Sequence, residues 1–260
     1  MLASLDGVIG AAETTGIPVT DEGLLRGDGA FEATRLYSGR PFALEDHLAR
    51  LQRSCAGLRL AVDIEALRGE IAALLEQAGP VEGVLRIVLT RGGRRIVLVE
   101  PLPHHPPVAR LATIRYAPNR VLDGLKSLSY AGNMLAKRLA QEAGYDDALL
   151  VTPHGRVLEG TTASFFWVRD GEPLTPPLED RILASITRAK LIAATGACEE
   201  PCTLEDLQGA QEAFVASSVR EVLPVAAIDE LRLPAAPGPV TLRAKAALGQ
   251  LIERELGAAV

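Results

Sequence analysis

Lysine is scarce in this chain of 260 residues, because only four of its 27 basic side chains are lysines. The arginines that make up the remainder are scattered among acids, and the formal net charge is -6. Nucleic-acid-binding surfaces concentrate positive charge into a patch or stripe, so we expect no nucleic-acid partner. Each of the few lysines becomes a candidate for a role that arginine cannot perform.

Long apolar runs are also absent, and no stretch reaches the roughly 18 residues that a membrane-spanning helix needs. The first residues lack a basic segment and include Asp6, so we expect no signal peptide. Three cysteines are too few, and odd in number, for a disulfide framework, which favours a cytoplasmic protein. Cys198 and Cys202 lie four apart, but a zinc site needs two further ligands. We therefore expect no metal.

The length suits either one large domain or two domains of moderate size. The proline-rich stretch Pro101–Arg110 predicts an extended connector. We place the boundary close to it, with a small N-terminal domain over residues 1–115 and a larger C-terminal domain over 116–260. Strands and helices that come in runs predict an α+β fold rather than a doubly wound sheet. Neither glycine-rich phosphate-binding motif occurs, so a nucleotide-binding fold finds no support.

Hydrophobic periodicity predicts the main elements of both domains. Predicted strands include Leu5–Ile9, Gly29–Tyr37, 83–93, 94–101, 111–117, the paired strands of 146–160 and 164–177, and 212–229. Predicted helices cover Leu44–Leu58, Ile64–Gln77, Ala131–Ala143, Ile186–Thr195, Leu204–Gln208 and Val240–Leu256. The second domain thus carries most of the predicted strands.

Lys126 lies between a loop and the predicted helix at Ala131. A lysine in a dry site loses its proton more readily, because burial disfavours the charged form. Its amine can then attack a carbonyl group and form a Schiff base. The position alone is more typical of a solvated surface lysine, so the residue type by itself does not establish a catalytic role.

Several long motifs resemble the class IV aminotransferases, which are the fold-type IV enzymes that use pyridoxal 5'-phosphate. The likeness runs through 27–51, 125–168, 182–188 and 217–225, in the order of the family. The family includes D-amino acid transaminases, branched-chain transaminases, R-selective amine transaminases and aminodeoxychorismate lyases. The resemblance implies a two-domain fold, a cofactor between the domains and a homodimer.

The resemblance assigns roles to individual residues. Lys126 matches the catalytic lysine that bears the cofactor. Glu159 matches the acid opposite the pyridine nitrogen, where a carboxylate keeps that nitrogen protonated. The cofactor phosphate is assigned to Arg50, Ile186, Thr187, Ser217 and Ser218. For Arg50 the alternative is a helix-surface pair with Asp46, four residues earlier.

Two enzymatic activities and one non-enzymatic role are compatible with these motifs. A transaminase moves an amino group from an amino donor to a keto acid, and the resemblance favours D-amino acids. A 4-amino-4-deoxychorismate lyase would instead expel a group from its substrate. Phe31 and Ala33 look most like the lyase branch. A protein that only stores cofactor or binds a partner would not need to retain Lys126, Glu159 and Arg50 together.

The carboxylate-binding residue of the substrate site is harder to assign. The segment TRGGRR, 90–95, lacks the Arg-x-His pair that D-amino acid transaminases have there. Arg26 lies in a loop that reaches the dimer partner in relatives, and its guanidinium could bind a carboxylate bidentately. Arg94 or Arg95 could assist. The alternative for Arg26 is a surface pair with Asp21 or Glu22.

Overall fold

The computed structural model describes residues 1–257, which form two compact units. The first unit contains Met1–Pro103, Leu125–Tyr130 and the chain from Ile252 onward, and the second contains His104–Gly124 and Ala131–Leu251. Both units combine a sheet with helices, so the predicted α+β class is confirmed. The last three residues of the predicted second domain, 258–260, lie outside the described residues.

The first unit is built on a six-stranded antiparallel sheet with the order β2-β1-β6-β5-β3-β4. Two long helices pack on this sheet through a core that is mainly leucine and isoleucine. The elements are β1 (Leu2–Leu5), β2 (Val8–Ala11), α1 (Glu22–Arg26), β3 (Gly29–Tyr37), β4 (Arg40–Pro41), α2 (Leu44–Leu58), α3 (Ile64–Ala78), β5 (Gly83–Thr90) and β6 (Arg95–Glu100).

The start of the chain differs from the prediction of one strand over Leu5–Ile9. The structure turns at Asp6 and Gly7, whose φ angles are 52° and 88°, so the apolar residues belong to the two strands of a hairpin. A two-residue hairpin turn of this kind needs positive φ at both central positions, which aspartate and glycine tolerate best. The predicted strand is therefore wrong, because it takes an Asp-Gly turn for strand interior.

The second unit contains a nine-stranded sheet with the order β12-β11-β10-β13-β14-β7-β8-β9, and β15 pairs with β14. Strand β7 pairs in parallel with β8 and β14, so residues 109–115 belong to this unit and not to the first. Within residues 1–257, no helix is long and apolar enough to cross a bilayer. The elements are β7 (Ala109–Arg115), α4 (Ala131–Glu142), β8 (Asp147–Val151), β9 (Val157–Gly160), β10 (Ser164–Arg169), β11 (Glu172–Thr175), α5 (Ile186–Thr195), β12 (Cys198–Glu199), β13 (Glu212–Ser217), β14 (Glu221–Ile228), β15 (Leu231–Arg232) and α6 (Pro239–Leu256), of which the residues from Ile252 onward belong to the first unit.

Large aromatic side chains fill the core on both faces of β10. Phe165 and Trp167 belong to one apolar cluster, and the intervening Phe166 stacks on Phe214 with ring centroids 4.7 Å apart. All four side chains are fully buried. Successive residues of a strand point to opposite faces, so a strand with aromatics at consecutive positions must be covered on both sides.

The predicted helix at Leu204–Gln208 is a single 3₁₀ turn at Asp206–Gly209. Thr203 and Asp206 cap each other, because each side chain accepts a hydrogen bond from the backbone N–H of the other. Such reciprocal caps normally start a helix. Here the chain leaves the turn after four residues to enter β13, so the helix does not continue.

Helix α4 buries small residues rather than the leucines whose spacing predicts it. Leu135 and Leu139 are 51% and 43% exposed, whereas Ala136 and Ala140 are buried at 4% and 0%. The alanine face packs against β7 and β8. A small side chain lets a helix backbone approach a sheet closely, and the leucines are left on the surface of the unit.

We expect Ala140→Leu to lower the free energy of unfolding by about 1–3 kcal/mol, because extra methylenes would be forced into a filled site. The matched variant Gln141→Ala changes an exposed side chain of the same helix and should change this free energy by less than about 0.5 kcal/mol. Urea unfolding of both variants is the measurement. Equal losses would contradict the assignment of the buried face.

Candidate functional site

Some candidate site residues belong to the first unit and others to the second, and each group is held by contacts within its own unit. In the first unit, the backbone of Lys126 lies beside the N-terminal end of β3. Its carbonyl oxygen accepts a hydrogen bond from the N–H of Phe31 at 3.1 Å, and its N–H donates to Ser54 Oγ on α2, also at 3.1 Å. Two residues on, the N–H of Leu128 donates to Gly29 O at 2.8 Å. The backbone of Lys126 is therefore tied to both a strand and a helix.

Gly29 makes this close approach possible. A Cβ atom there would lie 2.2 Å from the carbonyl oxygen of Leu89 and 2.5 Å from a methyl carbon of Leu128. Real Cβ atoms do not approach backbone oxygen that closely, so a residue without a side chain is required. Gly29 therefore lets β3 pair closely with β5, and it leaves room beside β3 for Leu128 of the lysine segment.

The side chain of Lys126 lies against two aromatic rings. Its Nζ is 4.3 Å from the ring centroid of Phe31 and 5.6 Å from that of Tyr130. The two rings meet edge to face with centroids 5.3 Å apart. Rings this close attract the ammonium group and limit its access to water. The structure thus brings together the predicted residues Lys126 and Phe31 and adds Tyr130, which sequence reasoning missed.

A buried carboxylate, Glu32, connects β3 to α2. Its two oxygens accept hydrogen bonds from Nε and Nη2 of Arg50, each at 2.7 Å, and Oε2 lies 2.8 Å from Nδ1 of His47. All three side chains are buried. His47, Arg50 and Ser54 lie at helical spacings on one side of α2, so this helix presents one polar stripe to Glu32 and Lys126.

Electrostatics settles the charges in this cluster. Burial by itself would raise the pKa of Glu32, but hydrogen bonds from Arg50 and His47 outweigh it and lower the pKa from 4.5 to about 2. Burial also lowers the pKa of His47 below 6.5, so near pH 7 His47 is neutral and Glu32 is ionised. Because a carboxylate only accepts, His47 must donate from Nδ1. Glu32 fixes the guanidinium of Arg50, whose assignment to phosphate stays a prediction.

In the second unit, Glu159 lies in β9 and is half-buried. Its Oε1 accepts a hydrogen bond from the N–H of Leu183 at 3.1 Å. Burial raises the pKa of Tyr116, and the negative charge of Glu159 raises it further. The Tyr116 hydroxyl therefore stays protonated near the Glu159 carboxylate.

Two predicted phosphate residues of this unit come together at the start of α5. Thr187 Oγ1 lies 3.3 Å from Ser218 Oγ, and the Ser185 hydroxyl caps the helix by accepting from the N–H of Arg188. The first N–H groups of a helix have no carbonyl partner within it, and this end binds anions. Hydroxyls beside such amides are a donor set that fits a phosphate monoester. The hydroxyl of Ser217 instead accepts from the N–H of Arg220.

The arginines predicted to bind substrate are each paired with an acid of the first unit. Arg26, whose side chain is 70% exposed, pairs with Glu22 on α1. Arg94 lies 2.8 Å from Asp6, and Arg95 lies 2.7 Å from Glu70. In this chain Arg26 thus adopts the alternative arrangement with Glu22. Its role toward a substrate carboxylate stays a prediction.

Sequence reasoning missed the partners that orient the predicted residues, namely Glu32, His47 and Tyr130. Glu32 and His47 occur in the motif 27–51, so the motif contained the signal. Their pairing could not be read from it, because contact between a strand and a helix depends on how the chain folds back. Tyr130 lies only four residues after Lys126, so the sequence alone could have indicated that the two side chains are close.

We expect Glu32→Gln to lower the free energy of unfolding at neutral pH by about 3–5 kcal/mol, because it leaves the buried Arg50 without its carboxylate. The depressed pKa gives the wild type stability that is present above pH 4.5 and lost as the pH falls toward 2, about 3 kcal/mol in all. Urea unfolding at neutral pH and about pH 3 measures both effects. The exposed Glu45→Gln is the control, and an unchanged pH dependence in Glu32→Gln would refute this account.

Comparison with known proteins agrees with these motifs. The chain is 35% identical over 240 residues to a protein of Methanocaldococcus jannaschii that carries the provisional name branched-chain-amino-acid aminotransferase, covering 82% of this chain and 83% of that protein. It is 30% identical to the D-alanine aminotransferase of Bacillus licheniformis, covering 92% and 93%. The solved structure of 4-amino-4-deoxychorismate lyase from Pseudomonas aeruginosa is similar at a TM-score of 0.84 and 32% identity, covering 96% and 98%.

These three proteins cover nearly the same length of chain but carry different activities, so they agree on the architecture and differ in the reaction. The fold is that of the fold-type IV transaminases. The family model for amino-transferase class IV matches residues 29–228, a range that includes Lys126, Glu159 and all the residues predicted to bind the phosphate. The chain belongs to the class IV aminotransferase family, whose enzymes use pyridoxal 5'-phosphate.

Proposed function

We propose that this chain transfers an amino group from a D-amino acid to a 2-oxo acid, with Lys126 as the catalytic residue. The observation that carries the proposal is the environment of Lys126. Its backbone is hydrogen-bonded to β3 and α2, and its amine lies against Phe31 and Tyr130. The similarity to the D-alanine aminotransferase of B. licheniformis over nearly the whole chain supports the choice of donor.

The residues present fit pyridoxal 5'-phosphate. Bound there, this cofactor stabilises negative charge on the substrate carbon that carries the amino group. Glu159 would keep the pyridine nitrogen protonated, and Lys126 would hold the aldehyde carbon. The phosphate of the cofactor would be held by Arg50, Ile186, Thr187, Ser217 and Ser218.

Lys126 also moves a proton in the proposed reaction. Once the donor's amino group has replaced it at the aldehyde carbon, the Lys126 amine would accept the proton from the substrate's Cα, and it would return a proton during the second half of the reaction. Phe31 and Tyr130 limit the number of rotamers that the lysine can adopt and exclude water from it. A lysine held in this way is oriented before the substrate arrives, which is the usual contribution of a fixed catalytic group.

Lyase activity on 4-amino-4-deoxychorismate is the second candidate. Its specific support is Phe31 at the lysine, in a motif that resembles the lyase branch, together with the similarity to the P. aeruginosa lyase. The same lysine would serve both reactions. Product analysis separates them, because the transaminase needs a 2-oxo acid acceptor and the lyase does not.

We also propose that the chain forms a homodimer. Exposed apolar side chains on short surface segments support this, since contiguous patches of this kind mark interaction sites in soluble proteins. Leu24 and Leu25 on α1 are each 59% exposed, next to Arg26. Leu135 and Leu139 form a second exposed pair on α4.

The wild-type protein should convert D-alanine and 2-oxoglutarate into pyruvate and glutamate, and Lys126→Ala should reduce kcat by at least about 10²-fold, since it removes the acid–base group. Lys137→Ala, on α4, is the matched control and should retain activity. Borohydride reduction followed by peptide mapping should place the pyridoxyl label on Lys126. A label on Lys137, Lys190 or Lys245 would overturn the assignment, and release of pyruvate from 4-amino-4-deoxychorismate without an acceptor would favour the lyase.

Arg26→Leu tests the proposed carboxylate contact. Hydrogen bonds to charged groups are worth roughly 1.5–3 kcal/mol, so kcat/KM for a D-amino acid should fall about 10- to 150-fold. An amine donor without a carboxylate, such as (R)-1-phenylethylamine, should be little affected. Arg68→Leu removes another surface ion pair of the first unit and serves as control. Equal losses for both donors, or none, would show that Arg26 does not bind the substrate.

A further inference from the structure

A buried ion pair in the second unit lies outside every motif role assigned so far. Arg220 occupies the turn between β13 and β14, yet only 6% of its side chain is exposed. Its Nη2 lies 2.6 Å from Oδ2 of Asp147 at the start of β8, and Asp147 is 5% exposed. The same nitrogen donates a hydrogen bond to Thr162 Oγ1 at 2.6 Å.

Asp147 extends the contact to the loop that follows β9. Its Oδ1 accepts a hydrogen bond from Thr161 Oγ1 at 2.6 Å and one from the N–H of Ala148 at 2.8 Å. The carbonyl oxygen of Thr161 accepts from Asn133 Nδ2 on α4 at 2.9 Å. Arg220 and Asp147 thus connect the β13–β14 turn with the loop at 161–162.

Such a pair is not required for stability. Taking two charges out of water is costly, and well-packed apolar residues of similar volume often stabilise a core at least as well. What the pair adds is a fixed distance between three segments that are far apart in sequence. Its effect on function depends on which functional groups those segments carry.

Each end of this network leads to residues assigned to the cofactor. On the turn, the N–H of Arg220 donates to Ser217 Oγ, and the next residue, Ser218, lies against Thr187 at the start of α5. On the other side, Thr162 follows Glu159 by three residues in the chain. The network therefore lies between the group assigned to the phosphate and the group assigned to the ring nitrogen.

We propose that Arg220 is a positioning residue, which holds the Ser217–Ser218 turn in register with the segment that carries Glu159. The inference rests on the proposed function, because it takes both groups to bind one cofactor. A rigid ligand with a phosphate at one end and a pyridine nitrogen at the other needs a fixed distance between its two binding groups. A ligand that lacks the phosphate does not.

The experiment compares pyridoxal 5'-phosphate with pyridoxal, which has the same ring and no phosphate. The full chain, freed of cofactor by dialysis, is titrated with each compound, and the Kd values are measured. The test variant is the double substitution Arg220→Gln with Asp147→Asn, because it leaves no unpaired buried charge. We expect the Kd for pyridoxal 5'-phosphate to rise about 10- to 100-fold, as for other residues that orient a binding group. The Kd for pyridoxal should change little.

A second variant separates positioning from a simple charge effect. Thr162→Val removes the hydroxyl that accepts from Arg220 and leaves the ion pair in place. It should raise the Kd for pyridoxal 5'-phosphate about 10-fold, the effect of one hydrogen bond to a charged group, without changing the melting temperature. Arg169→Gln breaks an ion pair with Glu200 in the same unit and should leave both Kd values unchanged.

Three outcomes would overturn the inference. Equal losses for the two compounds in the double variant would mean that the pair only supports folding. Unchanged affinities would mean that it has no role at the cofactor, and an unaffected Thr162→Val would mean that only the charge of Arg220 matters. Failure of the wild-type chain to bind pyridoxal 5'-phosphate is a different result, because it would reject the proposed function itself.

Discussion

The candidate site residues of the first unit depend on one constraint, which is the pairing of the lysine segment with the N-terminal end of β3. Lysine has a long, flexible side chain, and it is useful to catalysis only if its backbone is held. Here the backbone N–H and the carbonyl oxygen of Lys126 are both satisfied, by Ser54 on α2 and by Phe31 on β3. Gly29 leaves room for this segment, because a Cβ atom there would lie 2.5 Å from a methyl carbon of Leu128.

The strand that holds the lysine also carries the charged anchor of the unit. Phe31 lies against the Lys126 amine, and the next residue, Glu32, binds Arg50 and His47 of α2. Neighbouring residues of a strand point to opposite faces, so one strand can serve two environments. A buried carboxylate with a bidentate arginine gives strong orientation, which makes α2 a fixed support for Ser54 and for Arg50.

The second unit uses the same physical device in a different place. Asp147 and Arg220 form its buried ion pair, and the two threonines after Glu159 complete the network. Burial lowers the pKa of the nearby His105 to about 4, and the positive charges of Arg220 and Lys137 contribute to this shift. His105 is therefore neutral near pH 7 and adds no further positive charge. In both units, buried charge orients side chains that are predicted to bind the cofactor, and burying that charge has a desolvation cost that apolar packing would avoid.

The sequence alone was sufficient for the α+β class, the family and most of the regular elements. Helix Leu44–Leu58 follows from local periodicity, and helix Ile186–Thr195 is also capped by Ser185; both signals come from neighbouring residues. Lys126 and Glu159 are predicted from motifs that are long and continuous, and their roles stay predictions. The scarcity of lysine in the composition is by itself enough to make Lys126 conspicuous.

Only the tertiary structure decided which residues meet. The Asp6–Gly7 hairpin, the alanine face of α4, the pairing of Arg26 with Glu22 and the contacts of Glu32 and Arg220 all depend on distances between segments far apart in the chain. Periodicity identifies an apolar stripe, but a neighbouring sheet selects the side chains that fit against it. A motif can identify an arginine, but the acid that binds it is determined by the path of the folded backbone.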